Sequence, residues 1–346
     1  MGRRHSSGPD SRVTQLGVKF PVSPLNGVPM SLTPLSGTQF VLETYGYTAA
    51  IASIGASDRS LRYHGRNLIV PFDADQVRPF FRGAILAPWP NRVVDGKYTF
   101  GGVEQQLSIT EPSRGHALHG LVSWLNFAVV RQAADRLVLA ATVEAQPGYP
   151  HRVTLEVDFA LDAGCLRTAV TAVNAGPNAA PFGVAPHPYL VAGDGRVNDW
   201  TLELAAQRIL TVTHDRLIPL HLCDLDAGDL AVFDFRTPRT IDDTFIDHAF
   251  TGFDRDDEGM ATLRLTTTAG SGVEMIWGPE CPWVQVHTAD QLVPSIDRIG
   301  LAVEPMTCPP DAFNSGMNLN VLEPSGSTRA SWTVRAIDQL CRPLRN

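Results

Sequence analysis

His151-Arg-Val-Thr-Leu-Glu-Val-Asp-Phe-Ala-Leu-Asp-Ala-Gly-Cys-Leu-Arg-Thr-Ala-Val-Thr-Ala-Val173 is the stretch that decides the fold. Val153, Leu155, Val157, Phe159 and Leu161 alternate with Thr154, Glu156, Asp158 and Ala160. A period of two puts the apolar set on one face of a strand. Asp162-Ala-Gly164 supplies a turn, and Leu166–Val173 reads as the returning strand. The same alternation recurs at Leu137–Val143, at Leu263 and Leu265, and at Val273, Met275 and Trp277. Val284 and Val286 point one way while Trp283, Gln285 and His287 point the other, and Trp332 and Val334 continue the pattern. No long amphipathic helix competes with it, and 29 Gly and 26 Pro punctuate many short strands. The expected class is all-β, a large antiparallel β-sandwich. We expect a single such domain over residues 20–346, preceded by a disordered or expression-derived tail over residues 1–19.

Composition narrows the partners. The chain has 346 residues, 44% hydrophobic and 18% charged, with a formal charge of −8. That balance argues against nucleic acid and anionic membranes, which call for a basic surface. No apolar run approaches the length of a membrane span. Five widely spaced cysteines form no Cys-x-x-Cys pair, so free thiols and a cytoplasmic location are expected.

Few polar residues stand alone among apolar or proline-rich sequence. Glu304 follows the apolar run Ile299–Val303, read as a buried strand, and a proline-rich loop follows at Pro305, Pro309 and Pro310. Asn91 and Arg92 follow two prolines, and His119 precedes Gly120. His187 lies between Pro186 and Pro188, which hold its backbone extended. Asp247 is embedded in apolar sequence, with Asp242 and Asp243 upstream. Each has a plain structural alternative: a solvated strand end, a snorkelling Arg, a core His, a turn-capping Asp. Trp89, Trp124 and Trp283 are candidate apolar faces for a ligand, and at least two of them are expected in the core. No Gly-x-Ser-x-Gly, Gly-x-Gly-x-x-Gly or P-loop pattern occurs, and no close His-x-His or His-x-Glu pair suggests a metal. Asp247 and Glu304 leave carboxylate-pair glycosidase chemistry open.

Taken in order, Asn91-Arg92, Leu118-His119-Gly120, His187-Pro-Tyr189, Asp247-His-Ala-Phe250 and Leu301-Ala-Val-Glu-Pro305 with Pro310-Asp-Ala-Phe313 resemble the aldose 1-epimerase (galactose mutarotase) family. The resemblance implies a β-supersandwich and interconversion of the α and β anomers of a free aldose, with no metal or coenzyme. It implies that Glu304 is the general base and His187 the general acid. His119, Arg92, Asp247 and Asn91 would bind the sugar, with His119 also supporting charge at the ring oxygen. Neighbouring carboxylates are expected to keep His187 protonated. The expected partner is a small sugar, the protein being a monomer or homodimer. A sugar-phosphate mutarotase, for which Arg82, Arg92 and Arg114 are the candidate cations, and a non-catalytic sugar-binding module are the alternatives. Ala-Pro-His-Pro-Tyr around His187 and the prolines after Glu304 depart from better-known members and suggest a divergent bacterial subgroup.

Overall fold

The hairpin read from residues 151–173 lies inside a nine-stranded sheet. In the computed structural model, residues 1–2, 33–162, 164–226 and 228–338 are described. Val153–Leu161 pairs with Leu166–Asn174 from Val153 opposite Asn174 to Leu161 opposite Leu166. Arg136–Val143 flanks one side of this hairpin and Ser327–Ile337 the other. Gly272–Trp277, Ala261–Thr266 and Thr201–Leu204 extend the sheet beyond Ser327–Ile337. A second sheet of six strands runs in the order Tyr189–Leu190, Leu301–Met306, Trp283–His287, Asp247–Phe253, Ala206–Val212, Pro219–Asp224. All pairings between these strands are antiparallel, as expected for the sandwich.

The apolar face of the first sheet, including Leu155, Val157, Phe159, Met275 and Trp277, shares one core with Phe250, Val284, Val286 and Val303 of the second. Burying such faces is the main favourable term of the fold. The other face of the six-stranded sheet carries a smaller apolar cluster that includes Ala84, Ala185, Ala249, Trp283 and Met306. Loops from the first half of the chain therefore cover that outer face, and the candidate site is built there.

One detail departs from expectation. Glu304 does not close its strand, because Leu301–Met306 continues through Pro305. The N–H groups of Val303 and Thr307 donate to Pro188 O and Val184 O. By the period of two, Pro305 falls on that same side, so its missing N–H leaves the ladder with Trp283–His287 intact. The helical content is confined to short turns, with Ala312–Ser315 after the proline-rich loop. Residues 3–19 of the expected tail and the boundary at residue 20 lie outside the described residues. The four described cysteines are free thiols, and no described helix is long and apolar enough to cross a membrane.

Candidate active site

Strand register places four polar side chains on one face. Asp247 stands opposite His287, and Gln285 opposite Glu304, on three adjacent strands. Side chains at every second position share a face, so Gln285 and His287 project together beside Asp247 and Glu304. Gln285 Nε2 donates to Asp247 Oδ1 at 2.7 Å, which fixes that carboxylate. Glu304 is only 2% exposed, and its Oε2 has no hydrogen-bond partner among the described residues. A buried carboxylate oxygen of this kind is costly unless a ligand uses it.

His187 is brought to Glu304 by backbone pairing on both sides. Ala185–Pro186 pairs with Ile85–Leu86, and Tyr189–Leu190 pairs with Leu301–Met306. The Gly83 N–H donates to His187 O at 2.8 Å. His187 Nε2 then lies 3.3 Å from Glu304 Oε1, with both side chains buried.

A second group comes from loops. The His119 N–H donates to Asn91 O at 2.8 Å, and the Asn91 N–H donates to His119 Nδ1 at 3.2 Å. Asn91 and His119 both adopt left-handed backbone, at φ 54° and 60°. Such strain persists only where the surroundings over-determine it, and it concentrates at functional sites. Asn91 Oδ1 accepts from the Arg92 N–H at 2.9 Å and from Arg92 Nη1 at 3.3 Å. Phe81 packs edge-on to the His119 ring at 4.8 Å and is stacked with that of His187 at 6.3 Å.

All six residues singled out from the sequence, Asn91, Arg92, His119, His187, Asp247 and Glu304, line one cleft of about 280 Å³. Asp242 and Asp243 do not line it. Of the three tryptophans, Trp89 and Trp283 are core, while Trp124 is exposed over Arg78. The aromatic walls are instead Phe80, Phe81, Tyr189 and Phe245. Glu111, Gln285 and His287 also escaped the sequence reading. For Gln285 and His287 a signal existed, since they alternate with Val284 and Val286. Glu111 has none, because only the tertiary fold brings it to Arg92.

The cleft disfavours charge on Glu304, His187 and His119. Burial pushes Glu304 well above the ordinary carboxylate range, helped by the charge of Asp247 and opposed by Arg92. Burial also drives His187 down to about 3, with His287 and Arg78 acting in the same direction. This corrects the expectation that carboxylates keep His187 protonated. Asp247 pulls the other way, but desolvation wins. His119 is likewise held well below the ordinary imidazole value by burial, then by His187 and Arg92. Burial raises Asp247 too, but His287, Arg92 and the Gln285 hydrogen bond more than offset it, leaving it ionised.

Residues 38–335 match the family model for aldose 1-epimerase. The chain belongs to the aldose 1-epimerase family. YihR, an uncharacterized protein of Escherichia coli strain K12, is 34% identical over 289 residues, covering 83% of this chain and 90% of YihR. Mouse galactose mutarotase is 27% identical over 52% of each chain. The crystal structure of a GalM/aldose epimerase homologue from C. elegans superposes with a TM-score of 0.74 at 18% identity, covering 86% of this chain and 99% of that one. At that identity the likeness speaks for the fold alone, which is the galactose mutarotase-like fold.

Three residues of the cleft also form a set that could hold a metal ion. Ligand-capable atoms of His119, His187 and Glu304 all lie within 4.8 Å of one another, a donor set suited to zinc or iron. The hydrogen bond from Asn91 argues against that use. A neutral His119 accepting at Nδ1 carries its proton on Nε2, so its remaining nitrogen donates rather than ligates.

Proposed function

We propose that this chain is an aldose 1-epimerase that interconverts the anomers of a free aldose, with Glu304 and His187 as its proton-transfer pair. The observation that carries the reading is the 3.3 Å contact between His187 Nε2 and Glu304 Oε1, inside a cleft lined by hydroxyl-binding groups. Because burial opposes charge on both, the pair holds one proton between its two members. Transfer of that proton along the contact gives the carboxylate–imidazolium form. Glu304 then takes the proton of the anomeric hydroxyl, the bond from C1 to the ring oxygen breaks, and His187 protonates that oxygen. An open-chain aldehyde results, rotation about C1–C2 exchanges its faces, and the reverse transfers close the ring. After opening, Glu304 is protonated and His187 neutral, which is the form that burial favours at rest. His119 offers a neutral N–H donor, Asp247 an acceptor and Arg92 a donor edge to the sugar.

A free sugar fits better than a phosphorylated one. Arg92 and Arg114 are the cations lining the cleft, and both already pair with Glu111. NMR exchange spectroscopy over a panel of aldoses tests the function, and we expect faster α–β exchange with protein than without. No acceleration with any aldose would refute it.

The pair also dictates a pH dependence. The acid limb of kcat/KM marks the second protonation of the pair, and the alkaline limb marks loss of its shared proton. With His187 lowered and Glu304 raised, the acid limb is expected well below the ordinary imidazole value of about 6.5. The rate should therefore be flat through that pH, and a break there would count against the pair.

A further inference from the structure

Glu111 is a buried carboxylate with no part in the proton transfer, yet it takes up much of Arg92. A guanidinium has five N–H groups. Arg92 Nε donates to Glu111 Oε2 at 2.8 Å and Nη2 to Glu111 Oε1 at 3.0 Å, a two-point fork. Nη1 donates once, to Asn91 Oδ1 at 3.3 Å. Among the described residues one N–H on each terminal nitrogen is left without a partner, on a side chain that lines the cleft. Glu111 is itself firmly set. Arg114 Nη1 donates to its Oε1 at 2.8 Å, and the N–H groups of Arg114, Gly115 and His116 donate to its carbonyl.

The cleft offers Arg92 two competing partners, since Asp247 and Glu304 line it too and both act on the Arg92 charge. A guanidinium seated on Glu304 would stabilise its charged form and weaken it as a base. We propose that Glu111 is a positioning residue that holds the free edge of Arg92 toward the sugar and keeps the guanidinium off Glu304. The effect on rate rests on the proton-transfer reading above; the effect on Arg92 does not.

The test compares wild type, Glu111→Gln and Glu111→Asp in the full chain. KM and kcat come from anomer exchange, and the Glu304 carboxyl is titrated by carbon-13 NMR, its resonance assigned by its loss in Glu304→Gln. The groups facing Glu304 are His187, His119, Asp247, Arg92 and Tyr189, and of these only Arg92 is released by the substitution. Glu111→Gln is expected to raise KM on the order of tenfold and to move the Glu304 titration to lower pH. Glu111→Asp keeps the charge on a shorter stem and should recover part of both. A folded Glu111→Gln protein with unchanged KM and an unchanged Glu304 titration overturns the proposal. If Glu111→Gln does not fold, Glu111→Asp decides by the same two readouts. If wild type exchanges no anomers, the proposed function fails while the titration still decides the role of Glu111.

Discussion

Replacing Glu304 with Gln is expected to lower kcat for anomer exchange by about 10²–10⁴-fold, the range contributed by a positioned acid or base. The substitution keeps size and shape, so the strand and its pairing with Trp283–His287 should survive. On the mechanism proposed above, it removes the carboxylate that takes the anomeric proton beside His187. His187→Asn should produce a loss of the same order. The double variant should be little worse than either single one, because the two groups act as a unit on one shared proton. Stability should move differently from rate. Glu304 is almost fully buried with one oxygen unpartnered among the described residues, so removing its ionisable group should leave the denaturation midpoint unchanged or raise it. A Glu304→Gln protein exchanging anomers at the wild-type rate would sink the mechanism.

Gly120→Ala carries the largest expected cost in stability, on the order of 3 kcal/mol. Gly120 follows His119 and has φ 71°, a conformation that L side chains rarely adopt. A Cβ there would lie 2.1 Å from Ala87 O and 2.3 Å from Ala87 C. That carbonyl cannot retreat freely, since the N–H groups of Leu121 and Val122 donate to it at 2.7 and 3.1 Å. The clash therefore has to move the loop that bears His119, and activity should fall with stability. Urea unfolding monitored by tryptophan fluorescence measures the change. A midpoint within error of wild type would show that the loop absorbs the methyl group.

The two results draw on different kinds of information in the sequence. The strands were legible because alternation is a local signal. Val153–Leu161 and Gly272–Trp277 fall where the period of two put them. Glu304 and His187 stood out because each is polar among apolar or proline neighbours, and the fold brings both into one cleft. What was illegible depends on distance through space. Whether a strand ends at Glu304 turns on which side the Pro305 N–H would have faced, and only the neighbouring segment decides that. The protonation of His187 was misjudged because counting nearby carboxylates ignores burial, and here desolvation outweighs the charge of Asp247. The aromatic walls were missed because Phe80 and Phe81 reach the cleft through left-handed turns, at φ 48° and 57°, that their residue types do not announce.

Asp247, Gln285 and Glu304 stand on three hydrogen-bonded strands, whereas Arg92, Glu111, His119 and Phe81 arrive on short connecting segments. Protein engineers can treat these as separate modules. If the chain exchanges anomers as proposed, libraries confined to residues 78–92 and 111–122 are expected to retune which sugar is accepted, while the strand-borne carboxylates stay put. Randomising the strands instead would trade away turnover before selectivity could change. On that proposal, the division of labour between ladder and loop makes the protein a scaffold on which sugar preference is selected one connecting segment at a time.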